Sequence, residues 1–285
     1  MASDVGIVIC TRNRCAGLLA TLDLLRALPG RPPIAVVDNG STDRTVDAVR
    51  SDHPDVALIA LDRNLGTGAR NLGVDALDTP LVAFADDDSA WADDAFDRAF
   101  DLFDRHPRLA LLAACVLTGR DLRLDPVCRA MAGSPLPRAP DLPGPSVLGF
   151  LACGAIVRRS AFVAVGGFET RFGIGGEEQL LAIDLAAAGW GLAYVPEVIA
   201  YHWPMPGGRD PALRRRVQAR NQLWTSWLRR RPATALATTR RLLSEAARDT
   251  VSRDALVEAM RGLPWVLRQR RAVPRALERQ LEMLD

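Results

Sequence analysis

Between residues 5 and 88, short apolar runs recur, and each ends in a cluster of polar or charged side chains. Residues 5–10 lead into Thr11-Arg12-Asn13-Arg14, and residues 34–37 into Asp38-Asn39-Gly40-Ser41. Residues 56–61 lead into Arg63-Asn64-Leu65-Gly66, and residues 81–85 into Asp86-Asp87-Asp88. Segments with helical spacing separate them at 16–28, 42–50 and 68–77, and the alternation continues with a helix at 93–105 and a strand at 109–117. Strands alternating with helices of this length predict an α/β fold, a mostly parallel sheet with flanking helices. In such sheets ligands bind beyond the carboxyl ends of the strands, and every polar cluster falls there.

The second part of the chain is less regular. Residues 121–146 are rich in proline and read as a loop or extended excursion rather than a helix. A strand is expected at 150–157, then a helix at 161–165 with Ser160 as its cap. A helix at 177–188 stopped by Gly189 follows, then strand pieces at 192–195 and 198–201. From Pro211 onward the pattern is helical and arginine-rich. The expected organisation is therefore an α/β half at 1–120, a less regular half of the same domain at 121–209, and a helical extension at 210–285.

Composition narrows the function. A net charge of +2 argues against a general nucleic-acid binder. All 36 cationic side chains are arginine, which excludes a catalytic lysine and discounts arginine richness as a signal. The five cysteines (Cys10, Cys15, Cys115, Cys128 and Cys153) show no CxxC spacing, pointing to a reducing compartment. With no leader pattern in the first residues and no bilayer-length apolar run, the expected location is cytoplasmic.

The strand-end clusters carry complementary chemistry. Asp38 suits a base or ribose, arginines suit phosphates, and the Asp triplet suits a divalent cation holding a phosphorylated ligand. Each also has a plainer reading: Asp38-Asn39-Gly40-Ser41 is strong turn chemistry, and three aspartates also make a solvated turn. Gly66-Thr67-Gly68 with Gly73 lacks the spacing of a dinucleotide fingerprint. His53 and His106 each precede a proline near a helix end, which suits capping or solvent better than catalysis.

Taken together, residues 7–14, 36–43, Asn64-Leu65-Gly66 with Ala69-Arg70-Asn71, and Phe84-Ala85-Asp86-Asp87-Asp88 resemble the family 2 glycosyltransferases. Val165-Gly166-Gly167-Phe168-Glu169 and Gly176-Glu177-Glu178 with Ala188-Gly189-Trp190 extend the likeness across roughly residues 4–205 in the family's order. The resemblance implies a GT-A (Rossmann-like) fold and an inverting transfer from a nucleotide-diphosphate sugar to an acceptor hydroxyl, assisted by Mn2+ or Mg2+. It implies donor contacts from Thr11, Arg12, Asp38, Asn64, Gly66, Arg70, Asp86 and Asp87, and metal ligation by Asp88 and His202. Gly166, Gly167 and Phe168 would border the acceptor, and Glu178 would be the general base, with Glu177 a competitor. The acceptor, whether a glycan, a lipid-linked sugar or a small molecule, stays open.

Leu180 and Asp184 depart from the family's acidic and basic positions on that helix. This keeps a non-catalytic nucleotide-sugar binder as an alternative. A sugar nucleotidyltransferase is the weaker one, because Thr11-Arg12-Asn13-Arg14 lacks a glycine-rich, lysine-bearing loop. Arg214-Arg215-Arg216 and Arg229-Arg230-Arg231 flank Trp224 and Trp227, a pattern compatible with an interfacial helix. Packing of that helix on the catalytic domain is the favoured reading over peripheral membrane contact.

Overall fold

The computed structural model describes residues 4–205 and 210–285. Residues 1–3, where no leader was read, and the expected border at 209 lie outside the described residues. The chain starts with β1 (Val5–Thr11), α1 (Cys15–Arg26), β2 (Ile34–Asp38), α2 (Thr45–Asp52) and β3 (Ala57–Ala60). A 3-10 turn over Gly66–Ala69 then opens α3 (Arg70–Asp75), followed by β4 (Leu81–Ala85), β5 (Ser89–Trp91) and α4 (Ala95–Arg105). Every residue of β2 and β4 is buried, as in a sheet covered on both faces.

The chain continues with β6 (Leu109–Thr118), β7 (Arg123–Leu124), α5 (Pro126–Ala132), β8 (Ala155–Arg158), α6 (Arg159–Ala164), α7 (Glu177–Ala187) and β9 (Gly191–His202). The sheet order is β3-β2-β1-β4-β8-β6-β9-β5, with β7 paired to β6. Pairing is parallel through β3-β2-β1-β4 and again at β6-β9. It is antiparallel where β8 enters between β4 and β6, and at β5-β9. The apolar runs marked the strands but not their directions, because burial on both faces erases the alternation that pairing leaves.

Three local expectations change. The proline-rich stretch contains α5, because Pro126 sits in the first turn, where its missing N–H costs nothing, and Asp125 accepts from the Val127 amide as the cap. Ser160 is not a cap: α6 begins one residue earlier, with Arg158 at the cap position and no side-chain cap bond. The two strand pieces before His202 form one strand with a register shift opposite Ala114 and Cys115.

Five helices complete the described chain: α8 (Pro211–Arg229), α9 (Pro232–Ala246), α10 (Thr250–Arg261), α11 (Leu263–Gln269) and α12 (Arg275–Glu282). No helix among the described residues is long and apolar enough to cross a membrane. The tryptophans and the later arginines of α8 face inward, whereas Arg214 and Arg215 stay exposed. Trp224 packs on Trp265 at 5.3 Å and on Phe172 at 5.9 Å between ring centroids. Arg229 pairs with Asp184 of α7, and Arg230 with Glu278 and Asp285.

The Phe172 contact matters because Phe172 lies just before α7. Gly173, Gly175 and Gly176 all have positive φ, so this approach to α7 needs glycine. Fully buried Asn221 of α8 holds it, donating to the carbonyls of Phe172 (2.9 Å) and Gly175 (2.6 Å). Asn221→Ala removes the donor to the Gly175 carbonyl, while Phe172 keeps Arg220 at 2.8 Å, and is expected to cost about 1–3 kcal/mol. Urea unfolding monitored by circular dichroism measures this; a loss below about 0.5 kcal/mol would contradict the clamp.

Candidate active site

Sheet register builds the site. Thr11 pairs with Asp38 across β1-β2, and the β1-β4 register continues to set Thr11 beside Asp87. The Thr11 hydroxyl donates to Asp87 at 2.7 Å. Across β5-β9, Ser89 stands opposite His202, which brings Asp88 alongside. His202 Nε2 lies 3.3 Å from Asp88 Oδ1, and the Met205 amide donates to the other Asp88 oxygen at 3.2 Å. Continuing the antiparallel β4-β8 register places Cys153 opposite Asp86.

The carboxylates respond differently to this crowding. Burial pushes the Asp87 carboxyl up to about 6, and neighbouring Asp88 and Asp86 add to it against the Thr11 hydrogen bond. Burial also opposes charge on Asp88, yet the bonds from His202 and Met205 win and hold it below the usual carboxylate range. Burial works against the His202 imidazolium, but Asp88 overrides it and raises that pKa.

Arg70, at the start of α3, is the buried cation of the cluster. Its Nη2 donates to Asp86 at 2.6 Å, and its guanidinium sits 5.8 Å from the Phe168 ring centroid. Nε and Nη1 have no partner among the described residues. Burial disfavours the arginine charge, yet Asp86, Cys10 and both glutamates hold it on the protein.

Glu177 and Glu178 form the first turn of α7, where the helix dipole favours negative charge. Glu177 is buried and its Oε2 has no partner. Glu178 instead borders a cavity of about 330 Å³ lined by Val127, Met131, Val147, Phe150 and, from the C-terminal end, Leu284. Burial and then the neighbouring Glu177 push the Glu178 carboxyl up to about 7, against the pull of Arg70. Asp184, further along α7, is occupied by Arg229, so this position joins the helix to α8.

The remaining expected residues divide. Asp38 is buried at the end of β2 with its carboxylate bonded to the Ser41 amide and hydroxyl, the turn role open to it from sequence. Asn64 likewise caps its own turn through the Gly66 amide. Gly66 has φ +66°, and a Cβ there would collide with the Gly173 carbonyl, which also accepts from the Thr67 amide at 2.7 Å. The Asn64–Gly66 turn is thus seated on the turn that leads to α7.

Two of the expected residues stand apart from this cluster. Arg12 is exposed and makes no ion pair among the described residues; Arg14 is the loop arginine whose charge reaches Asp87 and Asp88. Phe168 is a core side chain packed on Phe84 and Phe162, while Gly166 and Gly167 supply positive-φ turns before it. Asn71 fixes this segment by bonding both the amide and the carbonyl of Phe168. His53 and His106 occupy the C-caps of α2 and α4.

The sequence reading missed Asn39 and Cys153. Buried Asn39 donates to the Gly66 carbonyl at 2.9 Å and accepts from the Leu65 amide at 3.1 Å, tying β2 to the Asn64 turn. Its place in the Asp38-Asn39-Gly40-Ser41 turn was the available signal. The ligand atoms of Asp86, Cys153 and His202 lie within 4.8 Å of one another, and no spacing in the sequence announces that set. With Asp88 at His202, these donors fit a divalent cation: carboxylate oxygen, imidazole nitrogen and one buried thiol.

Known proteins resemble this arrangement. Glycosyl transferase family 2 matches residues 6–166. N-acetylglucosaminyl-diphospho-decaprenol L-rhamnosyltransferase of Mycobacterium tuberculosis is 31% identical over 227 residues, spanning 68% of this chain and 73% of that protein. Among solved structures, mannosyltransferase PcManGT from Pyrobaculum calidifontis, in complex with GDP-Man and Mn2+, superposes with a TM-score of 0.58 at 19% identity, over 93% of this chain and 84% of that one. TarS of S. aureus in complex with UDP-GlcNAc gives 0.55 at 18% identity, over 77% and 66%. At such identities the structures establish a shared GT-A glycosyltransferase fold. Together with the family match and the rhamnosyltransferase relative, they make this chain a member of glycosyl transferase family 2 and a glycosyltransferase.

Proposed function

We propose that the protein moves a sugar, with inversion, from a nucleotide-diphosphate donor to an acceptor hydroxyl delivered beside Glu178. The observation that carries this reading is the placement of Glu178 between the buried Arg70–Asp86 pair and the apolar cavity. The donor diphosphate lies at the strand ends, near the unpaired nitrogens of Arg70, and Asp38 and Asn64 shape the turns around the nucleotide. A divalent cation held by Asp88 and His202, with Asp86 and Cys153 beside them, would supply positive charge where the diphosphate departs.

Glu178 accepts the proton of the acceptor hydroxyl as its oxygen bonds to the anomeric carbon. The bond from that carbon to the diphosphate oxygen breaks, and its electron pair leaves with the nucleotide. Arg70 offsets the growing negative charge from a dry position, where such a contact is strong. One base and one displacement invert the anomeric centre. The apolar lining of the cavity suits an acceptor with a hydrocarbon portion. The mycobacterial relative is named for a decaprenol-linked acceptor and L-rhamnosyl transfer, which makes that pairing the first to test.

Nucleotide release from a panel of nucleotide-diphosphate sugars, with lipid-linked and free-sugar acceptors, tests the assignment; absence of turnover with every pair would count against it. Glu178→Gln is expected to lower kcat about a hundred- to ten-thousand-fold with donor affinity little changed. Glu177→Gln should be the milder variant, and the reverse ranking would move the base to Glu177. Because only the ionised carboxylate accepts a proton, kcat/KM should rise with pH and level off above a midpoint near pH 7, set by the pKa of about 7. A flat profile between pH 5 and 9 would exclude a base of that pKa. Asp88→Asn should raise the Mn2+ concentration for half-maximal donor binding by at least about tenfold, read by titration calorimetry; unchanged affinity would remove Asp88 from the metal site.

A further inference from the structure

The charge of this chain is divided sharply along its length. Residues 210–285 hold 17 arginines against 8 acidic residues, whereas residues 1–209 hold 19 against 26. The modest net charge conceals a basic helical unit joined to an acidic catalytic one. The basic clusters of α8 are largely spent inside the molecule. Arg215, Arg216 and Arg220 pair with Asp249 or Glu258, and Arg229 and Arg230 with Asp184, Glu278 and Asp285.

The outer helices differ. Along α10 and α11, Ala255, Ala259, Trp265 and Val266 point inward. On the other side Val257, Met260 and Leu267 reach solvent at 46%, 49% and 66% exposure, spaced by three and seven residues. Arg253, Arg261 and Arg268 recur at intermediate positions of the same stripe, and none has an ion pair or side-chain hydrogen bond among the described residues. Neighbouring α9 repeats the pattern, with Leu236 and Leu243 each half exposed and unpaired Arg240 between them. The two helices pack on each other and both on α8, so one layer presents both stripes.

We propose that the α9–α11 surface docks the protein on an anionic lipid bilayer, arginines to the headgroups and Val257, Met260 and Leu267 into the interface. Apolar tips interleaved with unpaired arginines are the chemistry of a membrane-surface helix. A nucleic acid would use the arginines but gain nothing from three exposed aliphatic side chains. A protein partner with an acidic face would not need lipid. The acidic remainder of the molecule is repelled by the same surface, which orients it with the helical unit down.

The surface also adjoins the site. Trp265 of α11 lies under the Arg171 guanidinium at 4.9 Å, and Arg171 belongs to the turn whose Gly173 carbonyl receives Thr67. Docking would therefore bring the acceptor side of the sheet edge close to lipid. The proposal does not rest on the donor, acceptor or base assigned above, because lipid binding is measured without any of them.

Flotation of the full chain with phosphatidylcholine vesicles, with and without phosphatidylglycerol, tests it directly. Binding is expected only to the anionic vesicles and should weaken with added salt. Met260→Ser/Leu267→Ser and Arg261→Ala/Arg268→Ala should each reduce partitioning on the order of tenfold. Leu24→Glu, an equally exposed apolar site on α1, should not. Circular dichroism and Tm verify that each variant is folded. No binding to anionic vesicles overturns the proposal. So does equal loss in Leu24→Glu, or binding that ignores Met260 and Leu267. Duplex DNA that competes fully and is held equally well by the Met260/Leu267 variant would assign the face to nucleic acid instead.

Discussion

One ion pair, buried Arg70 with half-buried Asp86, makes the rest of this site tolerable. Asp86, Asp87, Asp88, Glu177 and Glu178 converge from two distant parts of the chain, and like charges brought together out of water repel. Arg70 is the buried cation set among them, placed by the first turn of α3 and backed by the Phe168 ring. Removing Asp86 would leave the buried Arg70 guanidinium charged and without its partner, which is the costly loss in such a pair. Burial, set against the bonds that His202 and Met205 give Asp88, also divides the carboxyl groups by chemistry. Asp88 stays ionised beside His202, while Asp87 and Glu178 are held close to neutrality. A group that gives up its proton near neutral pH can take one from a hydroxyl; a group that never loses its charge can hold a cation.

The helical unit contributes to this indirectly. Glu178 stands after a run of glycines whose conformations give that stretch no rigidity of its own. Asn221 supplies the missing constraint from α8, and Arg229 fixes the same helix further along through Asp184. Leu277 and Leu281 of α12 close on Ile183 of α7 from another side. The departures at Leu180 and Asp184 are thereby explained. Leu180 joins the Phe172–Trp224 cluster and Asp184 anchors α8, so both positions serve packing against a unit that follows the sheet.

How much of this was legible in the residues follows from range. The apolar runs before Thr11, Asp38, Asn64 and Asp86 named their strands and strand ends correctly, because burial and turn chemistry are local signals. Strand direction was not local: β8 enters the sheet antiparallel, and that pairing alone carries Cys153 to Asp86. The helix at α5 was hidden by counting prolines without asking where they fall, since Pro126 occupies the turn in which proline is tolerated. Phe168 belonged to a motif associated with the acceptor, yet its side chain serves Arg70. A motif records that a position matters and leaves open which neighbour it serves. Asn39 and Asn221 act across gaps of 26 and 46 residues, which no spacing rule reads.

The division of charge gives the two units different problems to solve. A nucleotide-diphosphate sugar is an anion, and residues 1–209 carry an excess of acidic groups. Under the proposed function, long-range attraction would not bring such a donor in, and binding would come from the short-range set of Arg70, the turn amides and a cation held by Asp88 and His202. Such a site discriminates by shape and hydrogen bonding rather than by collecting anions. The basic unit faces the opposite constraint, since its outer arginines are unscreened by partners and its cluster with Leu180 and Phe172 fixes it to the catalytic helix. Whatever holds α9–α11 from outside would also set where Glu178 and the cavity it borders point. Position relative to a surface then becomes part of acceptor choice, acting beside the contacts within the cavity.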